Sequence, residues 1–243
     1  QRGLEAPTVT VEVHLSGGLP RFSIVGLAEA AVREARDRVR GAILESGFDF
    51  PQSRITVNLA PADLPKTGGR FDLAIALGIL AAQRRIPDRE FRGFEFYGEL
   101  GLNGELRAVP GILPAAIRAA AAGRALVVPA AVAREAALIR GATVHAASSL
   151  NEVVGHLRGG PRLTALETGL PAVSDADCAD LADVIGQSRA RRALEVAATG
   201  GHHLLLVGPP GTGKSMLASR LPGILPPLTE AEALESAAVD SVA

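Results

Sequence analysis

The 243-residue sequence predicts an α/β protein in two parts, and three observations carry that expectation. Strand-type alternation and helical periodicity interleave up to residue 157. Both fade between residues 158 and 178. Beyond that gap an apolar run at residues 202–207 ends in a glycine-rich loop that opens a helix. The expected organisation is a first domain over 1–157, a linker over 158–178, and the start of a second α/β domain over 179–243.

Each element has a local reason. Residues 8–15 alternate and are rich in Val and Thr, Gly17-Gly18 marks a turn, and residues 22–25 make a second short strand, which together read as a hairpin. Residues 28–46 have helical periodicity, with Ala31, Ala35, Val39, Ala42 and Ile43 on one side and Gly47 where a helix cap belongs. Residues 54–59 return to strand, followed by a loop at 60–70 and an apolar helix at 71–82. Residues 94–100 and 105–109 read as a second hairpin around the turn dipeptide Asn103-Gly104. A helix over 112–122, a strand over 125–128, a helix after Pro129, a strand over 143–146 and a helix over 149–157 complete a mixed α/β domain. Gly159-Gly160-Pro161, Gly169 and Pro171 then interrupt all periodicity. Residues 180–187 open the second unit. Residues 188–199 are helical, with Ser188 placed to cap the start and Gly200-Gly201 to end it, and 202–207 form an apolar strand.

Composition narrows the class. Hydrophobic residues make up 47% and charged residues 21%, as in globular chains, and no run approaches the roughly 20 apolar residues of a membrane helix. No charged segment followed by an apolar one and a small-residue cleavage site occurs near Gln1, so the expected location is the cytoplasm, without a membrane partner. The lone Cys178 forms no internal disulfide, and the five histidines lack ligand spacing for a structural metal. A net charge of -1 supplies no global attraction for nucleic acid. All but two of the 25 basic residues are arginine, and the exceptions, Lys66 and Lys214, mark places where a compact point charge is wanted rather than a guanidinium fork.

Lys214 lies in the segment Gly208-Pro209-Pro210-Gly211-Thr212-Gly213-Lys214-Ser215, which satisfies the Walker A pattern between an expected strand and an expected helix. Glycines let the backbone turn sharply and approach oxygen atoms, so that successive amides and the helix start point at a β-phosphate. Lys214 is expected against the β- and γ-phosphates of ATP as the catalytic cation, and the Ser215 hydroxyl on Mg²⁺. The acid that completes a Mg²⁺ site in such domains is not found after Ser215, so the chain is expected to be a piece of a longer protein and inactive in hydrolysis by itself.

With these motifs in view the sequence resembles the bacterial magnesium-chelatase-like AAA+ ATPases of the ComM/YifB type. The resemblance rests on Val11-Glu12-Val13-His14-Leu15, Phe22-Ser23-Ile24-Val25-Gly26-Leu27, the run from Val32 to Arg40, the run from Ile55 to Lys66, and His202 through Leu228. It implies an ATPase that assembles as a ring, generally a hexamer, and in ComM members a DNA branch-migration motor of natural transformation. Chelatase-like ATPase subunits and ATP-gated interaction modules are the alternatives. In AAA+ proteins the segment matching Asp183-Val184-Ile185-Gly186-Gln187 lies near the adenine, which implies base contacts at Ile185 and Gly186, against ordinary packing at a helix entry.

The first domain resembles the Lon-protease and ribosomal-S5 type of fold. In Lon-type proteases a serine follows the loop matching Pro65 to Asp72, and a lysine general base lies in the helix matching Gly111 to Ala116. Those positions fall here near Arg70 or Phe71 and near Pro114, which implies a protease fold without protease activity. Lys66 is expected in a structural or phosphate-contacting role. Arg33, Arg36 and Arg40, with Arg38 nearby, form a stripe that could meet DNA phosphates, but interleaved Glu29, Glu34 and Asp37 favour a solvated face.

Overall fold

A computed structural model describes residues 5–27, 29–169 and 179–242. Cys178, part of the expected linker, and the side chains of Ala31 and Arg33 lie outside the described residues. The fold is mixed α/β, and its packing forms two compact units: residues 1–170 with 234–243, and residues 171–233.

The first unit opens with β1 (Thr10–Ser16), β2 (Arg21–Val25), α1 (Ala30–Glu45) and β3 (Arg54–Ala60). The hairpin expected from the first two strands does not form. β3 lies between them, antiparallel to β1 and parallel to β2, giving the order β1-β3-β2. Ser16 and Arg21 both pair with Arg54, so the Gly17-Gly18 segment crosses the end of β3 instead of closing a tight turn. Five Cα steps easily cover two strand spacings of about 4.8 Å. The physical reason is burial. β3 alternates Ile55, Val57 and Leu59 into the core with less than 2% exposure, and a strand that apolar gains most at the centre of a sheet.

α1 places Ala35, Val39, Ala42 and Ile43 in the same core. α2 (Asp72–Ala82) buries Leu73, Ile75, Leu77, Ile79 and Leu80 and is apolar almost all round, as a central helix must be. Gly78 lets it press on β1, since a Cβ there would lie 2.6 Å from Val13 Cγ2.

β4 (Phe94–Phe96), β5 (Glu99–Leu100) and β6 (Leu106–Arg107) follow. The hairpin around Asn103-Gly104 is confined to β5 and β6, because β4 leaves it to pair in parallel with β7. After α3 (Ile112–Ala121) come β7 (Ala125–Pro129), α4 (Ala133–Ala136), β8 (Thr143–Ala147), α5 (Leu150–Leu157) and β9 (Thr164–Ala165), with sheet order β4-β7-β8-β9. Ser149 caps α5 by accepting from the Glu152 amide at 3.3 Å. Because β9 pairs with β8 and Leu163 is buried, residues 158–169 pack with the first unit rather than running free.

In the second unit α6 (Ser188–Gly200) is preceded by Gln187 in a left-handed conformation. Ser188 is the first helical residue and makes no side-chain cap, which corrects its expected role. Gly201 ends the helix as expected. Residues 202–207 form no strand. Among the described residues no strand is available to pair with them in this unit, and Leu205 and Val207 stay 84% and 85% exposed. α7 (Lys214–Ala218) follows the loop. α8 (Glu230–Val242) begins with a capping box in which Thr229 Oγ1 accepts from the Glu232 amide and Glu232 Oε2 accepts from the Thr229 amide at 2.8 Å. Its last part packs with the first unit, where the Ser241 carbonyl and hydroxyl oxygens accept from the amides of Gly111 and Leu113.

One polar contact binds the first core. Asp72, fully buried at the start of α2, accepts from Arg38 Nε at 2.7 Å and Nη2 at 3.2 Å, and from the Leu100 amide at 3.3 Å. Burial pushes its carboxyl up to about 6, against the pull of Arg38.

Three outcomes follow from this packing. The folded chain binds the Asp72 proton more tightly than an unfolded chain with the ordinary value of 3.8, so this group's contribution to stability falls as pH rises from about 3.8 to about 6. In urea denaturation, Asp72→Asn is expected to gain stability relative to wild type across that window and to level off above it. Arg38→Ala, which leaves a buried charge uncompensated, is expected to lose about 3–5 kcal/mol at pH 7. Gly26 has φ 102° and a Cβ there would sit 2.2 Å from the Leu59 carbonyl oxygen, whereas Gly47, at φ 80°, faces open space. Gly26→Ala is therefore expected to shift the urea midpoint well below that of Gly47→Ala, whose cost is about 1–2 kcal/mol.

Candidate functional site

The loop from Gly208 to Ser215 is shaped by two left-handed glycines, Gly211 at φ 83° and Gly213 at φ 79°. Gly213 is the residue from which α7 starts, and its carbonyl accepts from the Leu217 amide at 2.9 Å. The first amides of any helix lack intrahelical acceptors, so those of Lys214 and Ser215 are available to a ligand. A side chain at Gly213 would meet Gln187 Nε2 at 2.9 Å and Met216 Cε at 3.3 Å, which explains glycine there beyond its dihedral angle.

Lys214 folds back across the loop. Its Nζ donates to the carbonyls of Gly208 and Pro209, both at 2.7 Å, and to Thr212 Oγ1 at 3.3 Å. Thr212 Oγ1 in turn donates to the Pro209 carbonyl at 2.9 Å. The ammonium is thus held by neutral oxygens, each of which gives less than a phosphate oxygen would. Pro210 and Ser215 are exposed on the same loop. The donor set fits a nucleotide: an ammonium, open glycine amides and, at Ser215, a hydroxyl of the kind that holds Mg²⁺.

The segment proposed from sequence to meet the adenine stands beside this loop through one residue that sequence reasoning did not single out. Gln187 Nε2 donates to the Thr212 carbonyl at 3.4 Å. Immediately before it, Gly186 has φ 76° and Ile185 is 97% exposed, while Val184 is buried and its carbonyl accepts from Arg191 Nη1 at 3.2 Å. Ile185 is held out from the helix entry, not packed into it. The signal in the sequence was weak, since nothing distinguishes Gln187 from a helix-start glutamine except its left-handed backbone.

The first unit holds the other residues singled out from sequence. Lys66 is 1% exposed and its Nζ donates to the Pro61 carbonyl, while burial pushes the ammonium below its ordinary range. Its backbone pairs with Leu27 and Glu29. That is a structural placement, and a phosphate has no access to it. Arg70 Nη1 donates to the Tyr97 hydroxyl at 2.9 Å, and its guanidinium lies 5.7 Å from the Tyr97 ring centroid. The Tyr97 hydroxyl donates toward the carbonyls of Pro110 and Gly111 at 3.3 and 3.5 Å, at the start of the helix that buries Pro114. Tyr97 therefore links Arg70, which precedes α2, to the start of α3.

On α1, Arg38 is committed to Asp72 and Arg40 lies over Phe50 at 5.5 Å. The arginine stripe is partly consumed by packing. Among the described residues no cluster of three metal-ligating side chains occurs, and no helix is long and apolar enough to cross a membrane.

Residues 11–132 match the family of subunit ChlI of Mg-chelatase, and residues 180–243 match a second family of magnesium chelatase, subunit ChlI. The YifB protein of Salmonella typhimurium is 52% identical over 242 residues, covering 99% of this chain and 47% of that protein. Competence protein ComM of Haemophilus influenzae is 49% identical over 244 residues, covering 99% and 48%. The Rv2897c protein of Mycobacterium tuberculosis is 46% identical over 243 residues, covering 100% and 48%. The chain spans about half the length of the curated relatives it matches. With one chelatase-subunit match over residues 11–132, another over residues 180–243, and near-complete coverage by these relatives, the chain belongs to the magnesium-chelatase-like family of the ComM/YifB type.

Proposed function

We propose that the chain is the nucleotide-binding portion of an ATP-driven AAA+ motor that remodels DNA. The observation that carries this reading is the loop itself: left-handed Gly211 and Gly213, the open start of α7, and a lysine ammonium whose partners are neutral oxygens. Lys214 would exchange the carbonyls of Gly208 and Pro209 for β- and γ-phosphate oxygens, a stronger charge-assisted contact. The amides from Gly211 to Ser215 would hold the β-phosphate, and the Ser215 hydroxyl would hold Mg²⁺. Bound MgATP supplies the transferable phosphoryl group and the energy of its hydrolysis. Ile185 and Gly186 would flank the adenine, positioned by the contact of Gln187 with Thr212.

Residues 1–157 are read as a Lon-like domain without protease activity, 158–178 as the connection, and 179–243 as the first part of the AAA+ domain. The whole protein would work in the cytoplasm as a homo-oligomeric ring, with six subunits the usual number and nucleotide at each subunit boundary. DNA as the polymer acted on is supported by the competence protein among the relatives. A second reading, an ATPase subunit that acts on another protein, is favoured by both family matches being to a chelatase subunit.

Lys214→Ala is expected to remove binding of a fluorescent ATP analogue followed by anisotropy, and an unchanged Kd would sink the site assignment. For the full-length protein, branched DNA is expected to raise the ATPase rate. If a hydrolysis-competent ring neither binds nor responds to branched DNA, the chelatase-like reading replaces the first. Labelled casein is expected to survive incubation with the chain and MgATP, and its cleavage would overturn the reading of the first domain.

A further inference from the structure

Two arginines stand side by side on the open face of the first sheet. In β3 the side chains of Ile55, Val57 and Leu59 turn inward, so Arg54, Thr56 and Asn58 turn outward, and residues paired across the sheet share a face. Arg21 of β2 pairs with Arg54, and Ser16 of β1 flanks Arg54 on its other side. Both arginines are exposed. Like charges directly opposite on neighbouring strands destabilise a sheet, and this row holds no acid to relieve them. The next row is His14, Thr56 and Ser23. Glu12 comes one row later, where it accepts from Asn58 Nδ2 at 2.8 Å. Four residues of strand separate that row from Arg54, about 13 Å, which exceeds a Debye length of about 8 Å at physiological salt.

Helix α1 adds charge of the same sign along the free edge of β2. A hollow of about 490 Å³ there is lined by the residues of β2 and by Arg36, with no acid among the described residues that line it. Arg40, one turn further on, lies over Phe50, whose ring centroid is 6.0 Å from that of Phe22. A ring contact orients a guanidinium without neutralising it. The acids of α1 point elsewhere. At about 3.6 residues per turn, Glu34 and Glu45 share the opposite flank with Arg38, which Asp72 holds, and Asp37 falls on the outermost line of the helix. Glu29, just before the first turn, stands about 10 Å along the helix from Arg36. Asp49, in the loop that leads to β3, pairs with Arg85 at 3.0 Å. Among the described residues Arg21, Arg40 and Arg54 form no ion pair. The cationic surplus sits at the Arg21 end of β2.

Guanidinium groups spread along a strand and a helix turn suit a row of phosphates better than a single one. Phe22 and Phe50 are half-buried against one another and offer no ring for a base to stack on, which favours contacts to the backbone over contacts to bases. We propose that the open face of β2 and β3 at the Arg21–Arg54 end, with Arg36 and Arg40 at its rim, binds the phosphate backbone of duplex DNA without reading its sequence. The proposal rests on the reading of the whole protein as a DNA motor, and the site is separate from the nucleotide loop.

The test follows binding of a fluorescent duplex of about 20 base pairs to the full chain by anisotropy over a series of salt concentrations. Two duplexes of unrelated sequence are expected to bind alike, and polyglutamate of similar charge to compete at least tenfold less well. Arg21→Ala with Arg54→Ala is expected to weaken binding at least tenfold at low salt and to reduce the slope of log affinity against log salt by about 2. Its urea midpoint is expected not to fall, because a like-charge pair has been removed. Arg40→Ala, on a different element, is expected to reduce the slope by about 1. Lys214→Ala is expected to leave duplex binding unchanged. An unchanged slope in either variant with a wild-type urea midpoint overturns the proposal and leaves the DNA reading standing. Equal competition by polyglutamate also overturns it, and makes an acidic protein segment the occupant. So does absence of duplex binding by the wild-type chain, and the response of the full-length ATPase to branched DNA then decides the DNA reading by itself.

Discussion

A buried carboxylate is expensive even with donors around it, and the first unit gathers three of them at Asp72 to offset part of that cost. Its two oxygens draw Arg38 from α1 and the Leu100 amide from β5 to the start of α2. Three elements distant in sequence are thereby held at one point inside an otherwise apolar core. The geometry is bidentate, which restricts rotation of α1 against α2 in a way that apolar packing of the same core does not. The loop preceding α2 inherits the constraint. Gly69 passes so close to Glu99 that a Cβ would lie 2.2 Å from its carboxylate, and Arg70 is delivered to Tyr97. The same anchor thus commits Arg38, on the surface-facing helix, to a buried carboxylate.

The two units carry different kinds of chemistry because their residues are positioned differently. In the second, the loop is made by dihedral preferences within eight residues, and Gln187 reaches it from another segment. In the first, Arg70, Tyr97 and Pro110 meet by long-range packing.

That difference explains what could be read from the sequence. The glycine-shaped turn before α7 was legible, as were α1, α2, α3 and α5, because spacing, caps and glycines are local signals. Strand partners were not. Thr8 to Val25 contains everything a hairpin needs locally, and nothing within it announces that Ile55, Val57 and Leu59 will displace the pairing. The apolar run at 202–207 likewise has strand composition, but a strand requires a partner, and composition does not supply one. Gln187 and Tyr97 were missed because an uncharged side chain gains its significance from a neighbour, whereas Lys66 and Lys214 stood out by residue type alone. Even there, type was ambiguous: one lysine is enclosed in the core and the other lies across a loop.

The placement of β3 between β1 and β2 has a kinetic meaning. Neither outer strand can bury its apolar face until a segment beyond α1 arrives, so the sheet closes through non-local contacts and not through a rapid local turn. During synthesis, β1 and β2 are exposed from the moment they emerge until residue 60 follows them. In that interval the sequence most able to mispair is the hairpin it resembles, and the competing partner, β3, must be added before that error becomes stable.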